Sequence, residues 1–331
     1  MALAPFTLDV ALLPKAWGGR RLGAIYGDAR DQLGEAWLCA DLAETAQSGA
    51  GGQAMISAVA SGASGASDLH AVLAQDPIGL LGFHAERFPL LVKFLDAAEH
   101  LSVQVHPSPA YARAHPGAHV KSEAWVVLEA EAGAELMLGV EGIPDGAALA
   151  AAARDDALPE RLVRVPATPG TACWLPPGLV HALGAGSLVF EVQTASDTTY
   201  RLHDWTARYG RAPRAMHLEA GVEAALLDAA PVWGSSAGVA DGGQVLSTPD
   251  FEIGAVTGPS AGPVSAPLSA SAGPRALLVV PVGGTALLAG AWGRWEAPAH
   301  RVTVVPAAVA ADCRLELPAG VRAFVVRVLG G

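Results

Sequence analysis

Gln104 and His106 stand two residues apart in LSVQVH, Glu123 opens EAWVVLEA, and His181 follows the Pro-Pro-Gly turn of WLPPGLVH. A carboxamide, two imidazoles and a carboxylate make a donor set for one divalent metal ion. Mixed nitrogen and oxygen ligation suits zinc, at bond lengths of about 2.0 to 2.2 Å. It also accepts manganese, iron or cobalt, so spacing alone does not name the ion. An ion that keeps one position open for water or substrate acts as a Lewis acid. Each residue also has a plainer reading. A strand with one solvated face shows the same alternation as Gln104 and His106, an acid beside Trp125 suits a sheet edge, and a single histidine after a tight turn is commonly structural.

Elements that converge on one point must carry these donors. Side chains on a strand alternate faces, so Leu101, Val103 and Val105 point one way while Ser102, Gln104 and His106 point the other. From about residue 90 onward short β-rich runs recur between Pro and Gly: LLVKFLDA, LSVQVH, EAWVVLEA, AELMLGV, RLVRVPA, TACWLP and SLVFEVQ. That pattern predicts an antiparallel sandwich or barrel. A helix is expected over 145–158 with Asp145 as its cap, and a second over roughly 217–229. The Ala-, Gly- and Ser-rich residues 47–67 read as a loop or a poorly specified edge segment. Residues 232–247 have the composition of a linker, after which FEIGAV, RALLVVPV, HRVTVVPA, CRLELPA and VRAFVVRVL predict a second, smaller β-barrel. The expected division is therefore a domain over 1–230 that holds the site and a smaller one over 231–331.

Composition bounds the function. The chain has 331 residues, 51% hydrophobic and 16% charged, well inside the globular range. Its net charge of −11 argues against a nucleic-acid surface, so an anionic ligand must meet a locally positive pocket. Cys39, Cys173 and Cys313 are widely spaced and form no CxxC pair, which suggests neither a disulfide framework nor a thiolate zinc site and fits a cytoplasmic protein. The opening MALAPFTLDVALLPKAWGG lacks a basic segment ahead of its apolar residues and is read as mature sequence. The longest uncharged apolar stretch, 276–292, is broken by Pro281, Gly283 and Gly284 and reads as two strands around a Gly-Gly turn, not as a membrane span. His70, His84, His100, His115, His119, His203, His217 and His300 lack partner spacing and are read as solvated or structural.

The blocks KFLDAAEHLSVQVHPSPAYA, VKSEAWVVLEAEAGAELMLGV and LPPGLVHALGAGSLVFEVQTASDTTYRLHDW resemble, in order, the core blocks of type I mannose-6-phosphate isomerases, and WGGRRL and LGEAWLCAD resemble that family's amino-terminal blocks. The resemblance implies a mainly β fold of two jelly-roll, cupin-like barrels with a few short helices, in the compact bacterial form. It implies one Zn²⁺ per chain on Gln104, His106, Glu123 and His181, and interconversion of mannose 6-phosphate and fructose 6-phosphate. By motif position it puts Lys93, Lys121, Glu191 and Arg201 in the catalytic pocket. Where the family has a Gly-Lys-Thr-Glu run this chain reads Val120, Lys121, Ser122, Glu123, so the loop lacks a flexible glycine.

Moving a carbonyl between C1 and C2 of a sugar passes through an enediol, whose oxygens gain negative charge. A metal and fixed cationic donors stabilise that charge; Lys121 and Arg201 are suited to it. Glu191 shares a face of SLVFEVQ with Gln193, which makes it a candidate proton carrier or, equally, a buried carboxylate paired with Lys93 or Arg201. Lys93 either faces inward or snorkels at a surface, and Trp17 reads as core. The expected partner is a phosphorylated hexose, with no nucleic acid and no membrane, and a monomer is favoured. The competing reading is a metal-bearing cupin that binds a sugar or sugar phosphate without turning it over.

Overall fold

The computed structural model describes residues 3–44, 52–62, 65–236, 243–265 and 273–330. The fold is mainly β, built from four large antiparallel sheets in two face-to-face pairs of the jelly-roll kind. The first pair joins a seven-stranded sheet (Val232–Ser235, Thr171–Leu175, Glu123–Ala130, Ser187–Thr194, Leu90–Ala97, Ala11–Gly19, Leu33–Cys39) to a five-stranded one (Leu162–Pro166, Glu135–Val140, His181–Leu183, Val103–Val105, Tyr200–His203). A core containing Leu95, Trp125, Val189, Leu136, Leu138 and Leu183 lies between them. Short helices Pro109–Ala114, Gly146–Arg154 and Leu218–Ala224 cover the outer face of the five-stranded sheet, over Val103, Val105, Met137 and Ala182.

The second pair stacks a seven-stranded sheet (Gly243–Ser247, Phe251–Thr257, Arg322–Val328, Leu277–Val282, Thr303–Val305, Phe6–Leu8, Val59–Ser61) on a four-stranded one (Ser260–Pro263, Arg314–Leu317, Ala286–Gly290, Gly293–Ala297). The two seven-stranded sheets then pack back to back through a shared apolar layer that includes Val92, Phe94, Phe190, Phe251, Leu278 and Phe324. The Phe190 and Phe324 rings stack there at 5.0 Å between centroids. Period-two alternation explains the division of labour within a strand: Leu188, Phe190 and Val192 face this layer, while Val189, Glu191 and Gln193 face the first pair's interior. Sheet membership crosses residue 230 in both directions, because Phe6–Leu8 and Val59–Ser61 pair in the second seven-stranded sheet and Val232–Ser235 pairs in the first.

Several local expectations shift. Within LSVQVH only Val103–Val105 is strand. The segment read as a loop or edge segment carries two short strands: Met55–Ile56 pairs with Asp41–Leu42, and Val59–Ser61 pairs with Phe6–Leu8 at the edge of the second seven-stranded sheet; residues 45–51 and 63–64 lie outside the described residues. The segment read as a linker is strand at both ends, with 237–242 outside the described residues, because the free edge of Thr171–Leu175 offers backbone groups that Val232–Ser235 pairs. Gly146–Arg154 begins as expected, with the Asp145 carboxylate accepting from the Ala148 amide at 2.8 Å. The helix expected over 217–229 spans only Leu218–Ala224, since Ala225 turns extended and the Leu226 amide leaves to donate to the Gly178 carbonyl. Leu277–Val282 and Ala286–Gly290 flank the Gly-Gly turn but belong to different sheets. Among the described residues no helix is long and apolar enough to cross a membrane.

Candidate metal centre and active-site cleft

Strand register assembles the site. In the five-stranded sheet Gln104 pairs with His181 on one side and with Arg201 on the other, so three polar side chains fall in one row. Across the interior, Gln193 pairs with Glu123, and Glu191 sits between Trp125 and Lys93 on its two neighbours. His106 follows the end of its strand and is buried, as are Glu123 and His181.

The ligand atoms of His106, Glu123 and His181 all lie within 4.8 Å of one another. Nε2 of His106 stands 3.2 Å from Oε2 of Glu123, and Nε2 of His181 stands 3.0 Å from Oε1. Each imidazole turns Nδ1 to a backbone carbonyl, His106 to Thr198 at 2.9 Å and His181 to Leu179 at 2.8 Å. Those bonds place the ring proton on Nδ1 and leave Nε2 as a lone pair facing the carboxylate. Nε2 of His106 and both Glu123 oxygens are buried without a hydrogen bond. Lone pairs crowded together in a buried site repel unless a cation lies among them, so these residues fit a divalent metal. The Gln104 amide reaches Nε2 of His181 at 3.2 Å, and turning its carboxamide over presents Oε1 to the same point.

Burial alone would raise the Glu123 carboxyl, but Lys121, at 3.0 Å from Oε2, and the two histidines hold it well below the usual carboxylate range. Burial, reinforced by Lys121, lowers His106 to about 3, keeping it neutral as a ligand must be.

A cleft opens over this centre. Lys93 is buried at 6% exposure, with Nζ 3.3 Å from Oε1 of Glu191, 2.9 Å from Oε1 of Gln193 and 4.9 Å from the Trp37 ring centre. Trp125 donates to the other Glu191 oxygen at 2.9 Å. Burial, with Glu123 nearby, raises the Glu191 carboxyl despite Lys93. The same burial would lower Lys93, but Glu191 and Glu35 outweigh it and raise the ammonium. Arg201 donates through Nη1 to the Ala215 carbonyl at 2.7 Å, while its buried Nε makes no hydrogen bond. Burial beside Arg214 draws its pKa down to about 10, which still leaves it charged at neutral pH.

A model of the family described as phosphomannose isomerase type I, catalytic domain, matches residues 7–130. The chain is 32% identical over 257 residues to the mannose-6-phosphate isomerase of Streptococcus mutans, covering 75% of this chain and 77% of that protein. It is also 39% identical over 140 residues to mannose-6-phosphate isomerase ManA of Bacillus subtilis, covering 42% of this chain and 44% of that one. The chain belongs to the mannose-6-phosphate isomerase family. Its fold matches the crystal structure of the Bacillus subtilis mannose 6-phosphate isomerase with a TM-score of 0.80 at 23% identity, over 98% of this chain and 100% of that one. A zinc-bound mannose 6-phosphate isomerase matches with a TM-score of 0.69 at 16% identity, over 98% and 99% of the two chains.

In this member of the mannose-6-phosphate isomerase family the cleft also contains residues that the sequence reading passed over: Lys15, Glu35, Trp37, Asp197 and Arg214. Glu35 lies 3.5 Å from Lys15 and 3.9 Å from Lys93, and accepts from Trp37 at 2.6 Å. Burial would raise its carboxyl, yet the lysines and the Trp37 bond draw it down to about 2. Alternation in LGEAWLC was the available signal, since it puts Glu35 and Trp37 on one face and Ala36 and Leu38 on the other. Arg214 had none; it enters from a segment without regular structure and pairs with both oxygens of Asp204. Trp17 is core and cleft wall at once, at 4% exposure.

Proposed function

We propose that the chain interconverts mannose 6-phosphate and fructose 6-phosphate, with zinc held by Gln104, His106, Glu123 and His181. The observation that carries the reading is the meeting of three buried ligand atoms beneath a cleft whose cations outnumber its acids. Lys15, Lys93, Lys121, Arg201 and Arg214 outnumber the four carboxylates there, so the cleft is already net positive although the chain carries −11 overall, and a divalent ion would add to that excess. That balance suits a phosphorylated sugar and focuses its approach.

Zinc held by Gln104, His106, Glu123 and His181 would supply a Lewis acid for the negative charge that develops on the sugar. Glu191 takes the proton from C2 of the aldose and returns it to C1 of the enediol, while the hydroxyl proton passes from O2 to O1. Its raised proton affinity brings it closer to the working pH of a general base than an exposed glutamate. Lys93 and Trp125 hold its two oxygens in place. Lys121 and Arg201 donate to the enediol oxygens as charge develops, in a buried setting where such donors act strongly.

All of this chemistry falls within residues 1–230; Val232–Ser235 extends the first seven-stranded sheet, and the strands from Gly243 onward, together with Phe6–Leu8 and Val59–Ser61, form the layer that backs it. Free, buried Cys39, Cys173 and Cys313 agree with a cytoplasmic protein, and we read it as a monomer that binds no nucleic acid. A coupled assay of the purified chain with mannose 6-phosphate and with unphosphorylated mannose tests the function. Turnover of the phosphorylated sugar is expected, and its absence with active zinc-loaded protein contradicts the proposal.

A further inference from the structure

We infer that Gln193 is a positioning residue for the metal centre, acting on His106 through the turn that follows its own strand. Gln193 is fully buried and pairs in register with Glu123. Its Oε1 accepts from Lys93, and its Nε2 donates to the carbonyl of Ser196 and, at 3.2 Å, to that of Thr194. The backbone then runs from Ser196, whose hydroxyl accepts from the Thr198 amide at 3.3 Å, to the Thr198 carbonyl that receives Nδ1 of His106. This short connection links Ser187–Thr194 of the seven-stranded sheet to Tyr200–His203 of the five-stranded one. Gln193 therefore ties this turn to the strand before it, and the carbonyl it helps to locate fixes the tautomer and aim of a proposed ligand.

Gln193 must be an amide for this. Lys93 requires an acceptor at one end, and two backbone carbonyls require a donor at the other; a carboxylate in the same place meets those carbonyls with like charge. Partners one step behind a metal ligand are worth about 10- to 100-fold in metal affinity. The inference rests on the metal centre proposed above, so its test reads metal binding without sugar.

Zinc affinity of the full chain is measured by chelator competition for the wild type, Gln193→Glu and the uncharged Gln193→Met, together with the visible spectrum of each cobalt-loaded protein. A loss of about tenfold in zinc affinity and a shifted cobalt spectrum are expected in both variants. An added carboxylate by itself attracts a cation, so a loss in Gln193→Glu reports the broken turn and not the charge. If one variant does not fold, the other carries the test. Wild-type affinity together with an unshifted spectrum in a folded variant overturns the role of Gln193. Failure of the wild type to bind zinc overturns instead the metal centre on which the role depends.

Discussion

Glu191 and Lys93 face each other on adjacent antiparallel strands, and their charged ends meet 3.3 Å apart inside the cleft. The pairing allows two functions for Glu191, counter-ion of Lys93 and proton carrier, and an isosteric change separates them. Glu191→Gln keeps the volume and an oxygen for Lys93 but cannot take a proton from carbon. We expect kcat to fall by about 100-fold or more, the range of general acid-base catalysis, with zinc content unchanged. A kcat within a few-fold of wild type leaves Glu191 as the partner of Lys93 alone.

Arg201 lies beside Gln104 in the sheet without belonging to the ligand set. Its guanidinium is anchored by Ala215 through Nη1, with Asp204 3.8 Å from Nε. Arg201→Ala is expected to lower kcat by about 100-fold, in line with removal of one preorganised donor to a developing oxyanion. Elemental analysis should still find one zinc per chain. Equal kcat in the variant, or loss of the metal, removes the proposed role.

Acid should weaken the metal-free protein. Burial, aided by Lys121, lowers His106 to about 3, and burial with Arg208 lowers His100 to about 4, against an ordinary value of 6.5. Below pH 6.5 the unfolded chain binds protons that the folded chain refuses, so stability present above 6.5 is lost progressively as the pH falls toward these folded-state values. His100 gives the sharper check, because its Nδ1 accepts from the Ala185 amide at 2.7 Å and cannot do so when protonated. Thermal unfolding of the metal-free protein should show Tm falling from pH 7 to pH 5, and falling less in His100→Gln. A Tm that stays level over this interval contradicts the argument.

The back-to-back contact between the two seven-stranded sheets depends on stacked Phe190 and Phe324, both fully buried. Phe324→Ala removes a ring from a layer that no solvent reaches, at an expected cost of about 3 to 5 kcal/mol. Denaturant unfolding measures it. The folded fraction should keep its zinc, because the centre lies on the opposite face of the first seven-stranded sheet. A change under about 1 kcal/mol, below the usual range for a buried aromatic, places the ring outside the load of the core.

Much of the site was legible because alternation is a local rule. It put Gln104 and His106 on one face, and Glu191 with Gln193 on another, without knowledge of any neighbour. The strand at LSVQVH is shorter than the pattern suggested, yet His106 still turns inward because Thr198 holds its ring. What alternation does not reveal is which strand lies beside which. Phe6–Leu8 pairs with Thr303–Val305 nearly three hundred residues away, and no local signal in FTL announces it. Val59–Ser61 was legible only as a loop or a poorly specified edge segment, because its strand is three residues long, largely exposed and set in Ala-, Gly- and Ser-rich chain. Arg214 entered the cleft from irregular chain, where no periodicity exists to read. The helix at 217–229 was overestimated because apolar Ala225 and Leu226 continue its pattern, while a backbone bond to Gly178 draws the chain away.

The central claim is that His106, Glu123, His181 and Gln104 hold the ion on which turnover depends. Its most direct test follows mannose 6-phosphate conversion by the purified protein during chelation and then titration with zinc. The account predicts that activity vanishes on chelation and returns in proportion to zinc up to one equivalent per chain. Full activity in protein shown by elemental analysis to be free of divalent metal would contradict it.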